Sequence, residues 1–214
     1  MKVGVFGSGT VGQTIAAKVA ELGHEVMVGT RDTGKLADWL GATRGKVQAG
    51  SPAATAAHGE ILFNATNGGG SLEALALAGE ANLNGKILID ISNPLDFSRG
   101  MPPTLSVSNT DSLGEQIQRA YPRVRVVKTL NTITASLMVN PRQLADGDHH
   151  VFISGNDADA KAKVVDVLTN WFGWRHVLDL GDIATARGTE MYLPIWLRMW
   201  GALGTGIFNV KIVK

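Results

Sequence analysis

Cysteine is absent from this chain of 214 residues, which excludes disulfides, thiolate metal sites and a cysteine nucleophile. An excess of charge of one sign is missing as well. Lys and Arg number 20 against 19 Asp and Glu, a net charge of +1, and no stretch interleaves basic residues with aromatics, so nucleic acid is not an expected partner. The longest apolar stretch runs from Leu193 to Val210, but Arg198 lies inside it and Gly201, Gly204 and Gly206 break it. That composition argues against a spanning helix and so against a membrane partner. The sequence enters its first apolar run at Lys2-Val3, leaving no room for a signal peptide, and the expected location is cytoplasmic. No internal repeat or low-complexity tract is present.

What is present begins at once. The apolar run Val3-Gly4-Val5-Phe6 leads into Gly7-Ser8-Gly9-Thr10-Val11-Gly12, and an amphipathic segment follows with Val11, Ile15, Ala16, Val19, Ala20 and Leu22 on its apolar side. Gly23 ends that helix, and Glu25-Val26-Met27-Val28 supplies a second strand. In a strand-turn-helix of this kind the first glycine makes the tight turn, the second lets backbone approach a pyrophosphate, and the third lets helix and strand pack closely. The phosphates then lie on a helix N-terminus, where free N-H groups and the helix dipole favour negative charge. A dinucleotide site is therefore expected, with Gly7, Ser8, Gly9, Thr10, Val11 and Gly12 as its binders.

The second strand decides which dinucleotide. NAD sites place Asp or Glu about 20 residues past the motif to hold the ribose hydroxyls, whereas a nearby Arg accommodates the extra phosphate of NADP. Val28, Gly29 and Thr30 fill that window, and no carboxylate stands there. Arg31 can grip a phosphate with its planar fork, Thr30 can donate a hydroxyl hydrogen bond, and Lys35 adds charge one turn on. NADP is the expected cofactor. Asp32 is open to two roles, holding the ribose or capping the following helix, and a solvated surface pair is the alternative for Arg31 and Lys35.

Further along, a helical segment carries Leu36, Trp39 and Leu40, a short strand is expected near Val47, and Ser51-Pro52 has the signature of a helix start. Apolar runs follow at Ile61 to Ala65, Ile87 to Ile91, Val124 to Lys128 and Val151 to Ser154, and Asp157 to Trp171 shows helical spacing. This alternation predicts an α/β fold, a Rossmann-type doubly wound parallel sheet with helices on both faces and a short C-terminal helical appendage. Residues 1–181 are expected to form the NADP-binding domain and 182–214 a C-terminal segment that completes the substrate pocket. Asp96 to Asn109, with Pro102-Pro103, reads as a loop. On the last helix Trp196 and Trp200 share a face with Met199 and Leu203 beside them, and this predicts a homodimer contact, with core packing inside one subunit as the alternative.

Ligands of open parallel sheets bind outside the C-terminal strand ends. The segments leaving those ends are Ala65-Thr66-Asn67, Ser92-Asn93-Pro94 and Asn131-Thr132-Ile133, rich in amides and hydroxyls that can bond a ribose or a carboxamide without bringing charge to a nicotinamide ring. Turn chemistry is the competing reading for Asn, Gly and Pro. No proton donor of a familiar kind accompanies them. Tyr-x-x-x-Lys is missing, since Tyr121 is followed four later by Arg125 and Tyr192 by Trp196, and no lysine occurs between Lys163 and Lys211. His149-His150 lacks a third histidine spaced to complete a metal site, so neither a metal nor a catalytic side chain is expected. Reduction of a carbonyl or imine calls for a proton donor, whereas hydride transfer between two ring cofactors needs mainly stacking, alignment and exclusion of water.

With these residues in place, the chain resembles the coenzyme F420-dependent NADP oxidoreductases, which carry hydride between NADP and a deazaflavin. The resemblance covers essentially the whole length: the glycine turn, Val28-Gly29-Thr30-Arg31 with Lys35, Val127 to Thr132, Ser154-Gly155-Asn156-Asp157, and Ala186-Arg187-Gly188-Thr189-Glu190. It implies 2'-phosphate binding by Thr30, Arg31 and Lys35, and a small-molecule hydride acceptor, F420 or a flavin. It also implies a C-terminal helix that helps form the acceptor pocket, Arg187 included, and a dimer. Asn131 stands where some deazaflavin-reducing members carry histidine. The chain is similar as well to the cytoplasmic domain of six-transmembrane metalloreductases. Reduction of a small carbonyl or imine, and a non-catalytic NADP(H) sensor, are the competing functions.

Overall fold

The computed structural model describes residues 1–214. The first half runs β1 (Lys2–Phe6), α1 (Thr10–Glu21), β2 (Glu25–Gly29), α2 (Ala37–Ala42), β3 (Val47–Gly50), α3 (Pro52–His58) and β4 (Ile61–Asn64). It continues with α4 (Ser71–Ala78), α5 (Glu80–Leu83), β5 (Ile87–Asp90), the short β6 (Leu95–Asp96) and β7 (Thr104–Leu105), and α6 (Leu113–Ala120). The remainder is β8 (Arg125–Thr129), α7 (Ala135–Val139), β9 (His150–Gly155), α8 (Ala158–Asp166), β10 (His176–Asp179), α9 (Ala186–Met191) and α10 (Leu193–Leu203). No helix is long and apolar enough to cross a membrane.

Local signals act where the sequence puts them. Gly23, at φ +89°, follows the C-terminus of α1, and Ser51 caps α3 by accepting from Ala54 N, with Pro52 in the first turn. Asp32 caps the 3-10 turn at Thr33–Leu36 by accepting from Gly34 N, which settles its structural role.

Eight strands form one sheet in the order β10-β9-β8-β5-β4-β1-β2-β3. Six of its seven pairings are parallel, while β8 and β9 pair antiparallel. The expected Rossmann-type doubly wound sheet is present, and it is parallel except at one edge, where β9 and β10 run against the rest. The connection from β8 to β9, residues 130–149, carries the short α7 and two 3-10 turns, and it re-enters the sheet at the end where β8 leaves it. Among the strands, edge strand β10, whose His-Val-Leu-Asp run has little apolar signal, and the β6–β7 hairpin that closes the proline-bearing loop lay outside the sequence reading.

Both faces of the sheet are packed. Val3, Val5, Phe63 and Ile89 point into the larger core with α1, α7 and α8 residues, and Phe6, Leu62, Leu88 and Val126 point to the other face with Leu75 and Ile117. The same alternation carries Asn64, Asp90 and Lys128, at the C-terminal ends of β4, β5 and β8, onto this second face, and they align across the sheet as register partners. The C-terminal segment is joined to the body at both ends. Glu190 of α9 accepts from Leu113 N and Gly114 N at the start of α6, and Val210 O accepts from His150 N.

Candidate functional site

The glycine turn between β1 and α1 contains two glycines that the fold itself requires. Gly7 sits at φ +108°, and a Cβ there would run into the Ala65 carbonyl; one on Gly12 would run into the Gly7 carbonyl oxygen. Gly9 differs. Its φ of −79° suits any residue, and a Cβ would meet nothing within 4 Å. Nothing in the protein demands glycine at this position, so the smallness of Gly9 leaves room for something outside the chain. No side chain caps α1, whose first-turn N-H groups are thereby free for an anion.

A cavity of about 390 Å³ opens on this turn. Gly7, Ser8 and Gly9 line one part, Ala65, Thr66 and Asn67 a second, and Thr30, Arg31, Asp32 and Lys35 a third, together with Pro52, Glu73, Ala74 and Leu77. Arg31 Nη1 is 3.1 Å from Glu73 Oε1, and Lys35 Nζ is 4.0 Å from Asp32 Oδ2. A second cavity of about 230 Å³ shares Ala65, Thr66 and Asn67 with the first and adds Val11, Ile91, Ser92, Asn93, Leu95 and Phe97. None of its lining residues is titratable.

The walls of the second cavity are fixed by hydrogen bonds. Thr66 Oγ1 donates to Asn64 Oδ1 at 2.7 Å and lies 2.7 Å from Ser71 Oγ, while Asn67 Oδ1 accepts from Gly69 N. Asn93 and Asn131 bind each other: Asn93 Nδ2 donates to Asn131 O at 2.8 Å, and Asn131 Nδ2 donates to Asn93 Oδ1 at 2.9 Å. Leu130, buried and at φ +61°, turns the chain so that this pair can form. A non-glycine residue in the left-handed region is strained, and such strain concentrates at functional sites.

Behind these loops lies a charged cluster. Lys128 Nζ is 2.9 Å from Asp90 Oδ2, 2.7 Å from Glu190 Oε1 and 2.5 Å from Ser92 O, with the three side chains at most 2% exposed. Asp90 Oδ1 also accepts from Asn64 Nδ2 at 2.9 Å and Ser92 Oγ at 2.6 Å. Burial by itself would lower the lysine's proton affinity, but the two carboxylates and their hydrogen bonds outweigh it and hold Lys128 above the usual lysine range. The cluster ties β4, β5, β8 and α9 together and reaches the second cavity through Ser92, which lines it.

Of the residues singled out in the sequence, Gly7, Ser8, Gly9, Thr30, Arg31, Lys35, Ala65, Thr66 and Asn67 line the first cavity, and Val11 and Asn93 line the second. Thr10 lines a separate groove on the outer side of α1, and Gly12 serves the packing of α1 on the turn. Pro94 O accepts from Ser106 N and so anchors the hairpin, while Asn131, Thr132 and Ile133 are buried beside the second cavity without lining it. Arg187 is not brought to either cavity. Its guanidinium donates twice to Glu115 of α6, at 2.8 and 2.5 Å, and holds the Glu115 carboxyl below its ordinary range. Sequence reading missed Asn64, Asp90, Lys128, Glu190 and Glu73. The first three had a readable signal, since each ends an apolar run on a polar residue two positions past a buried Leu or Val.

Comparison with known proteins agrees with this geometry. Residues 2–94 match the family described as NADP oxidoreductase, coenzyme F420-dependent. A solved structure from Arthrobacter sp. FB24, provisionally named an F420-dependent NADP-reductase, is 56% identical, with 100% of both chains covered and a TM-score of 0.96. The rat metalloreductase STEAP3 is 30% identical over 97% of this chain, which spans 40% of that protein's length. An imine reductase of Streptomyces aurantiacus, 19% identical over 95% of this chain and 63% of its own with a TM-score of 0.68, shares the fold. The chain belongs to the coenzyme F420-dependent NADP oxidoreductase family and is an NADP-dependent oxidoreductase.

Proposed function

We propose that this protein transfers hydride directly between NADPH and a deazaflavin of the coenzyme F420 type or a related flavin, without a covalent intermediate. Bound NADPH supplies the hydride from its nicotinamide ring. Gly7, Ser8 and Gly9, with Thr10, Val11 and Gly12 at the start of α1, receive the pyrophosphate, and the open space at Gly9 fits it. Thr30, Arg31 and Lys35 hold the 2'-phosphate. Ala65, Thr66 and Asn67 span both cavities and hold the ribose next to the reacting ring, with Asn93 opposite and Pro94 holding the hairpin behind it. Asn131, Thr132 and Ile133 fix the floor through the Asn93 amide, and Arg187 acts by holding α9 on α6 through Glu115. Residues 1–181 hold the cofactor in this reading, and 182–214 close the acceptor side.

The observation that carries the choice of acceptor is the second cavity. It offers amides, hydroxyls, apolar groups and the half-exposed ring of Phe97, and no titratable side chain. Such a lining stacks and aligns two rings and keeps water out, and it supplies no proton donor of the kind carbonyl reduction asks for. Steady-state oxidation of NADPH with F420, FMN and a small imine tests this. Turnover with F420 well above that with the imine is expected. Turnover confined to the imine or a carbonyl contradicts the choice, and saturable NADPH binding without turnover on any acceptor marks a sensor instead.

The apolar face of α10 supports a homodimer. Ile195, Trp200 and Leu203 are 55%, 43% and 59% exposed. Trp196 is instead packed within the chain, its ring 5.3 Å from that of Phe208. Burying each exposed side chain is worth roughly 1.5–3 kcal/mol. Sedimentation should find a dimer, and Ile195→Glu with Trp200→Glu a folded monomer; wild type that stays monomeric at high concentration contradicts the dimer.

A further inference from the structure

Both cations at the phosphate end of the first cavity are faced by carboxylates of their own chain. The Lys35 partner, Asp32, has a structural task as the cap of the following turn. Glu73 has none. Its one hydrogen-bond or ion-pair partner is Arg31, both side chains are largely exposed, and it lies 42 residues away in sequence. The N-terminus of α4 accounts for an acidic residue in that turn, but not for its reach across the cleft. Arg31 follows β2 and Glu73 rides the helix after β4, and these strands flank β1 on its two sides. The ion pair therefore spans the cleft that opens on the glycine turn.

We infer that Glu73 is a discrimination and release residue, its carboxylate competing with the 2'-phosphate of the cofactor for the Arg31 guanidinium. The inference rests on the assignment of Thr30, Arg31 and Lys35 to that phosphate. A phosphate makes stronger, charge-assisted and bidentate bonds to a guanidinium and displaces the carboxylate, which is left close to a second anion. A 2'-hydroxyl cannot displace it. Glu73 thus weakens the hold on NADP(H) alone and speeds its departure, which suits a carrier whose turnover depends on exchanging oxidised for reduced cofactor. Exposed ion pairs set the size of the effect at about 1.5- to 5-fold, smaller in high salt.

The test is titration of wild type, Glu73→Gln, Arg31→Ala and the double variant with NADP+ and with NAD+, at low and high salt. Glu73→Gln should bind NADP+ about 1.5- to 5-fold more tightly and release it more slowly, with NAD+ unchanged, and the gain should vanish in the Arg31→Ala background. Unchanged NADP+ affinity, or weaker binding of both dinucleotides, overturns the role of Glu73. Failure of the underlying assignment has a separate signature: Arg31→Ala would then weaken NADP+ and NAD+ by the same factor, whatever Glu73→Gln does.

Discussion

Replacing Gly9 with valine should abolish NADPH binding while leaving the sheet and its thermal transition unchanged. The two halves of that result come from different facts. The backbone at Gly9 has φ −79°, which valine adopts readily, and an added side chain meets no protein atom within 4 Å, so the fold has no reason to object. A pyrophosphate drawn to the N-terminus of α1 would have to occupy the volume that the valine methyl groups fill. Gly7 and Gly12 provide the contrast. Their added side chains would strike the Ala65 and Gly7 carbonyls, so substitution there disturbs the turn itself and cannot separate binding from folding. NADPH titration alongside circular-dichroism melting checks the claim, and a Gly9→Val protein with native affinity refutes the assignment of the cavity.

Lys128→Met should lower stability by about 3–5 kcal/mol, the cost of removing one partner from a buried ionic cluster and leaving the others uncompensated. Methionine keeps most of the side-chain volume, so the loss is one of charge. Asp90 and Glu190 would then face each other with no cation between them, and the Ser92 carbonyl would lose its donor. Combining Lys128→Met with Asp90→Asn and Glu190→Gln should recover a large part of the loss, because a neutral cluster no longer buries unpaired charge. Urea unfolding of the single and triple variants measures both effects, and a single variant within about 1 kcal/mol of wild type contradicts the account. The pH dependence has a definite sign. Because folding raises the proton affinity of Lys128, its contribution is complete below the unfolded lysine value of about 10.4 and fades only as pH rises through the higher folded value, so the cluster stays intact across the neutral range.

The parts of this protein that were legible in its sequence are those decided within a turn or two of chain. The glycine turn, the Ser51-Pro52 start of α3 and the Thr30-Arg31-Lys35 group needed no knowledge of distant residues, and the structure brings the last of these to the wall of the first cavity. The reversal at β9 was not legible, because the twenty residues between β8 and β9 carry no local signal that separates a parallel return from an antiparallel one. The buried cluster was hidden for another reason. Asn64, Asp90 and Lys128 meet only through the register of three strands, and Glu190 arrives from a helix much later in the chain. Glu73 lay out of view because its partner is 42 residues distant.

In the proposed reaction hydride passes directly from NADPH to a deazaflavin held against the second cavity. The most direct measurement is a single turnover with NADPH carrying deuterium at the transferred position of C4, with the reduced F420 recovered and weighed by mass spectrometry. One deuterium per reduced deazaflavin is predicted, together with a slower transfer step than for unlabelled NADPH. Reduced F420 without the label, or no reduction while a small imine or carbonyl is reduced instead, would contradict it.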